Sequence, residues 1–487
     1  MAADASQSLA GTAVKNSDQR GSGPAPSAPP TRASKITEQP RPVPAPPRAP
    51  DNEASKPRLT AAERNCTTDL RKYLLLLTQL LAILFVIYAF KVEGRTFGEL
   101  TALVIAGFAV HYWVPLRWKK WFVVGLSAVG AYALLHPVTA TAILGSTLGL
   151  YLILQAPVGF WWRVGAVVAI GSVCLWYRNH DAGSENANAI LSSFWPVFGG
   201  IFMFRMMIYI YDLRNEKTRG GFLDYLTYFL ILPNYYFLLF PIVDYQTMRS
   251  TYYNAEFHKQ AQEGIRWIAR GVAQLLIYRL IYHLRPYPAP EDVPSLGGLV
   301  VAMVLTYLLY LRLSGQYHII IGMMHLFGFN LPETHRRFLL AESFTDFWRR
   351  INIYWKDFMV KLVYYPAYFR LRKLGDLKAA AISTFIVFVA TWFLHAYQFY
   401  WLAGVFLFEW HVLLFWTILG VFVLVNVILE TKAQARRGRL VPAGKPNPLI
   451  RCVKIAATFT TITVLWSMWN AKSLTQWLDM LTYWKVG

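Results

Sequence analysis

Charge is what this chain of 487 residues has least of: 15% of it is Asp, Glu, Lys or Arg, where soluble domains carry about a quarter. Beside 55% hydrophobic residues, that scarcity excludes a water-soluble fold, which has no means of covering so much apolar surface. Cysteine is nearly missing as well. Cys66, Cys174 and Cys452 are odd in number and far apart, a pattern that indicates neither a disulfide framework nor a cysteine-based metal site. The apolar residues do not alternate with polar ones, so a membrane β-barrel is excluded. No internal repeat is found either, and paired repeats are what many transporters show.

What is present is a series of apolar runs. Residues 73–90, 97–116, 140–154, 160–177, 190–211, 222–243, 296–311, 382–401 and 413–429 stand out, with weaker runs at 121–135, 267–282, 318–329 and 452–469. Since a bilayer needs about 20 apolar residues as helix, the pattern predicts an all-α, polytopic transmembrane bundle of roughly eleven to thirteen buried or spanning helices, with re-entrant or interfacial ones among them. Trp161, Trp162, Trp176, Tyr177, Tyr235 and Tyr236 sit near run ends, where amphipathic rings favour the headgroup layer.

Basic residues outnumber acidic ones by 48 to 27, a formal charge of +21. They cluster in connections such as 117–120, 214–219, 370–373 and 432–439, which is the pattern of topology determinants and anionic-lipid contacts, not of a nucleic-acid surface. Membrane lipids are therefore expected partners and nucleic acid is not. Residues 1–60 are rich in Pro, Ala and Ser and are predicted to form a disordered tail without a secretory signal. Lys56, Arg58, Arg64, Arg71 and Lys72 surround the approach to the first run and place the N-terminus in the cytoplasm by the positive-inside rule. Residues 70–487 then form one multi-spanning domain, interrupted by polar, Pro-containing loops at 285–294 and 432–448.

Between residues 333 and 376, charges interleave with Phe, Trp and Tyr, the composition of interfacial or re-entrant helices. Phe347, Ile351, Tyr354, Trp355, Phe358 and Leu362 recur at helical spacing and define one apolar face. An ionisable residue inside a spanning run is costly and is a functional hypothesis by default. His395 is such a residue, flanked by Trp392, Phe393, Leu394 and Tyr397. A neutral imidazole in an apolar cavity can take a proton from a hydroxyl; it can equally hydrogen-bond a neighbouring helix. His318 and His325 are seven apart, hence on one face, beside Gly315, Gly322 and Gly328 that permit close helix approach. Packing, cavity lining and a metal site shared with His395 all fit that spacing, the last without a carboxylate or cysteine companion. Asn352 can donate to an oxyanion or act as helix glue.

Four ordered blocks carry a family resemblance. Phe344 to Ile353, reading Phe-Thr-Asp-Phe-Trp-Arg-Arg-Ile-Asn-Ile, resembles the Phe-Trp-Arg-Arg-x-His block of the membrane-bound O-acyltransferase family, nearest its bacterial branch for alginate O-acetylation and D-alanyl transfer. Asp224 and Tyr225, leading to Phe240-Pro-Ile-Val-Asp-Tyr245, resemble its Gly-Pro-Ile block. Ser314-Gly-Gln-Tyr-His318, with Gly322 and residues 326–332, resembles its Ser-Gly-Tyr-Ser-Asp block. Leu394-His395-Ala396, followed by Trp401 and Gly404, resembles the Trp-His-Gly block with the family's characteristic histidine. The blocks span about residues 190–410. The chain departs from the pattern at Asn352, where the polysaccharide branch has His and the sterol and diacylglycerol branches have Asn. It departs again at His318 for Asp, Phe240 for Gly and Leu394 for Trp, as a divergent member would.

The resemblance implies a multi-pass protein of the bacterial inner membrane whose helices form a cup around a tunnel. His395 would be the general base on an acceptor hydroxyl of an exported glycan or small molecule, and Asn352 would orient that acceptor or stabilise the oxyanion. Arg349, Arg350, His318 and Trp348 would contact substrate. The donor would be an acyl-CoA or acyl-carrier-protein thioester, with no tightly bound cofactor and no metal, and envelope proteins are expected partners. The cationic set Arg336, Arg337, Arg349, Arg350, Lys356 and Lys361 would meet donor phosphates or lipid headgroups. Two alternatives remain open at this point: a transporter with a buried-histidine proton relay, and a catalytically inactive envelope scaffold.

Overall fold

The computed structural model describes residues 65–66, 68–182, 189–215, 220–284, 293, 295–406, 408–437 and 447–482. The expected N-terminal tail and most of the two polar loops lie outside the described residues. Six helices come first: α1 (Leu70–Ala89), α2 (Arg95–His111), α3 (Leu116–Leu134), α4 (Pro137–Gln155), α5 (Phe160–Ala182) and α6 (Ala189–Arg214). Two short ones, α7 (Phe222–Phe229) and α8 (Tyr245–Ser250), flank irregular chain. They are followed by α9 (Phe257–Leu284), α10 (Leu296–Leu308) and α11 (Tyr310–Leu326), then by α12 (Phe344–Arg350), α13 (Ile353–Met359) and α14 (Tyr365–Leu371). Last come α15 (Asp376–Ala403), α16 (Trp410–Arg437), α17 (Pro448–Asn470) and α18 (Leu474–Leu481). The described residues contain no β-strand, so the all-α expectation holds.

Among the described residues, eight helical stretches are long and apolar enough to cross a membrane: α1, α4, α5, α6, the joined α10 and α11, α15, α16 and α17. The chain is a multi-pass membrane protein. Fewer stretches meet that standard than the apolar runs suggested, for local reasons. Run 222–243 is not one helix. Pro233 has no N–H, and its ring would clash with the carbonyl four residues back, that of Phe229, which is where α7 ends. A 3-10 turn over Leu232–Tyr235 and extended chain replace the rest. α2 is 17 residues long, and α9 is interrupted by Lys259, Glu263, Arg266, Arg270 and Arg279.

Irregular chain inside a membrane protein must find partners for its backbone. Here Arg205 of α6 reaches across, donating from Nη1 to the Tyr228 carbonyl at 2.9 Å and from Nη2 to Asn234 Oδ1 at 2.6 Å. Its guanidinium lies 4.3 Å from the Phe240 ring centre. The Tyr228 hydroxyl donates to the Val243 carbonyl at 2.8 Å. Elsewhere Lys119 is fully buried because its ammonium caps the end of α2, donating to the carbonyls of His111 at 2.5 Å and Tyr112 at 3.3 Å.

α9 and α11 pack face to face through glycines, as the small residues beside His318 led us to expect. A Cβ at Gly322 would lie 2.5 Å from the Gly264 carbonyl oxygen, and one at Gly271 would lie 2.5 Å from that of Gly315. The approach brings the two backbones together with room for nothing larger than hydrogen. On α4, by contrast, a Cβ at Gly145 or Gly149 meets no atom within 4 Å. Gly322→Ala should therefore cost about 1–3 kcal/mol through overpacking and lower the thermal unfolding temperature in detergent. Gly145→Ala and Gly149→Ala should leave that temperature unchanged, and equal behaviour of the three variants would contradict the packing described.

Candidate active site

His395 sits in the C-terminal half of α15, one turn beyond Thr391. Its Nδ1 lies 2.8 Å from the Thr391 carbonyl oxygen. A carbonyl accepts and cannot donate, so Nδ1 carries a proton, and in the neutral ring Nε2 has the lone pair. The ring is boxed by indoles, with centroids 4.5 Å from Trp355, 4.9 Å from Trp416 and 5.9 Å from Trp469. Trp355 is fixed in turn by its Nε1, which donates to the Thr391 hydroxyl at 3.4 Å.

Asn352 occupies a break that the apolar periodicity of residues 347–362 conceals. α12 stops at Arg350, Ile351 is extended, and Asn352 adopts φ 40° and ψ 64°, the left-handed region. Among residues with a side chain, Asn, Asp and His tolerate that conformation best. From there Asn352 caps α13, its Oδ1 accepting from Trp355 N at 3.3 Å, and it shares a cavity lining with Tyr317 of α11. The turn is braced by the loop before it. Ile353 N donates to the Thr334 carbonyl at 2.9 Å, Arg336 N to that of Arg350 at 3.0 Å, and the Tyr354 hydroxyl to that of Pro332 at 2.8 Å. Within that loop His335 is buried, with Nε2 2.8 Å from the Tyr310 hydroxyl, and burial pushes its pKa well below the ordinary imidazole range.

His395 and Asn352 open onto one cavity of about 320 Å³. Leu239, Phe240 and Ile242 of the irregular segment form one wall, Tyr317 and Leu313 of α11 another, and Gln398 and Phe399 of α15 with Trp469 of α17 complete it. A smaller void of about 70 Å³ shares His395, Asn352 and Trp355 and extends past Trp348 to Tyr310 and Trp416. A third cavity, about 420 Å³, meets the first at Ile242 and is lined by Asp212, Asp244, Asp357 and Lys361. Lys361 Nζ lies 2.6 Å from Asp212 Oδ1 and also contacts Asp244. Burial works against its charge, but the hydrogen bonds to those two carboxylates prevail and raise its pKa above the ordinary lysine value.

The structure thus brings together His395, Asn352 and Trp348 of the six residues singled out in the sequence. Arg350 is turned to Asp346 at 2.7 Å and Arg349 to Glu430 at 3.9 Å; neither lines the cavities. His318 faces α9, with Nδ1 2.7 Å from Gln274 Oε1 and its ring stacked 5.0 Å from that of Trp267. Of the expected cationic set, Lys356 is likewise paired, with Asp357 at 2.7 Å, while Arg336 and Arg337 are exposed. Among the described residues, no three His, Cys, Asp or Glu side chains converge as a metal site. Sequence reasoning missed Tyr317, Trp355 and Gln398. One of them carried a usable signal, since Gln398 stands three residues beyond His395 on the same face of α15.

No family model matches the chain. Over 210 residues it is 22% identical to a protein of Azotobacter vinelandii described as "Probable alginate O-acetylase AlgI", an alignment covering 40% of this chain and 41% of that protein. The chain therefore matches about two fifths of the length of this curated relative. The similarity supports a distant relationship of the membrane-bound O-acyltransferase kind and suggests an acyltransferase.

The two functions of Asn352 are separable by substitution. Asn352→Gly keeps the left-handed turn and costs the cap only a few tenths of a kcal/mol, so thermal stability should be nearly unchanged. Asn352→Ala should lose about 1–2 kcal/mol through strain and the lost cap. If the glycine variant unfolds as readily as the alanine one, the turn is not what holds this residue.

Proposed function

We propose that this chain is an integral-membrane O-acyltransferase in which His395 is the general base. The observation that carries the reading is the presentation of a histidine lone pair to an apolar cavity, with the opposite nitrogen fixed by the Thr391 carbonyl. In the proposed reaction the acceptor O–H gives its proton to Nε2 as the oxygen attacks the carbonyl of an acyl thioester. The tetrahedral intermediate collapses with cleavage of the C–S bond, and the departing thiolate takes the proton back from the imidazolium. One proton enters the site and leaves it, so no further acid is required.

Asn352 has two amide N–H groups. These, with the Tyr317 O–H in the same cavity lining, are the donor set we assign to the developing oxyanion. The indoles around His395 exclude water that would otherwise hydrolyse the thioester. The name of the curated relative favours acetyl as the acyl group and a glycan hydroxyl as acceptor. A CoA or carrier-protein thioester as donor, the bacterial inner membrane as location, a cytoplasmic N-terminus and envelope proteins as partners belong to the same proposal. The replacement of the family's Asp by His318 does not bear on it, because that side chain stands outside the cavity lining.

With acetyl-CoA and the purified protein, release of free thiol should fall roughly a hundred- to ten-thousand-fold in His395→Ala. Expression and thermal unfolding should stay as in the parent protein. Retention of full activity by that variant would sink the assignment.

A further inference from the structure

The acyl-transfer reading leaves the acceptor open, and the charges around the two larger cavities narrow it. None of the described residues lining the 320 Å³ cavity is Arg, Lys, Asp or Glu; its polar groups are His395, Asn352, Tyr317 and Gln398. These side chains offer hydrogen bonds to hydroxyls and no positive charge to a carboxylate; the Lys356 ammonium, in the lining of the adjoining 70 Å³ void, is paired with Asp357. The remaining wall is aromatic and aliphatic, with Trp355, Phe399 and Trp469 providing flat apolar faces. A hydroxyl compound loses little on moving into such a site if its polar atoms are matched. A carboxylate moved there without a cation is strongly disfavoured.

The neighbouring cavity reinforces the discrimination. Beyond Ile242 its lining sets three carboxylates, Asp212, Asp244 and Asp357, against the single ammonium of Lys361. Lys361 is already held between Asp212 and Asp244 and Asp357 is paired with Lys356, so the ammonium of this lining is committed to carboxylates and is not offered to an anionic ligand. The nearby Arg349 and Arg350 are turned to Glu430 and Asp346 and line none of these cavities.

Resting on the acyl-transfer reading, we propose that the acceptor admitted to His395 is an uncharged alcohol, and that uronate hydroxyls are rejected. Alginate is a polyuronate, so this chain would differ from its curated relative in the charge of the acceptor. The transfer balances as above: the alcohol O–H bond and the thioester C–S bond break, an ester C–O bond forms, and the proton ends on the released thiol.

The test uses the full chain in lipid nanodiscs with labelled acetyl-CoA and three acceptors: a neutral gluco-oligosaccharide, the uronate oligosaccharide of equal length, and a long-chain alcohol. Free thiol and acetyl ester are measured separately, in parent and His395→Ala proteins. We expect kcat/KM for one of the two neutral acceptors to exceed that of the uronate by at least about tenfold, and the preferred one identifies the source, glycan or lipid. Introducing a cation by Gln398→Lys should shift the ratio toward the uronate, again by about tenfold. Equal or better use of the uronate by the parent protein overturns the proposal, as does an unchanged ratio in a Gln398→Lys protein that still acetylates the neutral acceptor. Thiol release that depends on His395 but yields no ester on any acceptor overturns the acceptor class while leaving acyl transfer standing. Absence of any His395-dependent thiol release overturns the acyl-transfer reading itself, and the acceptor class with it.

Discussion

In hydrocarbon an unpaired backbone N–H or C=O costs several kcal/mol, and the site depends on how this chain meets that constraint at two places where it is not helical. The cavity wall at residues 230–244 is irregular because Pro233 stops α7. It is tolerated because Arg205, Asn234 and Tyr228 supply the missing partners. The turn at Asn352 is tolerated because the loop from Pro332 to Arg336 lies against it and takes up its hydrogen bonds. Continuous helices at both places would bring regular side-chain faces together and close the space into which His395 points. The function proposed for the chain is thus bought with two interruptions in its secondary structure, each compensated by side chains distant in sequence.

The same economy governs charge. Arg205 has oxygen partners and an aromatic face; Lys119 has two carbonyls at a helix end; Lys361 has two carboxylates. Each cation is committed to structure, and the His395 cavity is left with neutral polar groups. In such surroundings an imidazole retains its lone pair, and its hydrogen-bonding is decided by the single fixed contact at Nδ1.

Much of the architecture was legible because bilayer thickness imposes a length on apolar runs, and α1, α15, α16 and α17 follow theirs closely. Run 222–243 misled because hydropathy averages over proline, whereas one missing N–H decides where a helix ends. His395 was legible as a costly residue in an apolar run; its tautomer was not, since that depends on a carbonyl one helical turn away in space. The break at Asn352 was hidden for a different reason. Phe347, Ile351, Tyr354, Trp355 and Phe358 keep a helical rhythm across it and are all buried, so periodicity continued where the helix did not. The pairing of Arg349 with Glu430 and of Lys361 with Asp212 was not legible because it joins residues far apart in sequence.

The left-handed turn also clarifies the chain's main departure from the family it resembles. A position at φ 40° admits Gly, Asn, Asp or His with little strain and resists most other residues. The alternation between His and Asn suggested by the resemblance is therefore an alternation the backbone permits, and Asn352 preserves the turn while removing a titratable group. In the proposed reaction the proton is moved by His395. A single base suffices when the leaving group is a thiolate able to reclaim the proton the acceptor gave up, and it does not suffice for a poor leaving group that needs a separate acid. In the proposed reaction, Asn352 in place of a second titratable side chain is compatible with a thioester donor, whose departing thiolate needs no separate acid.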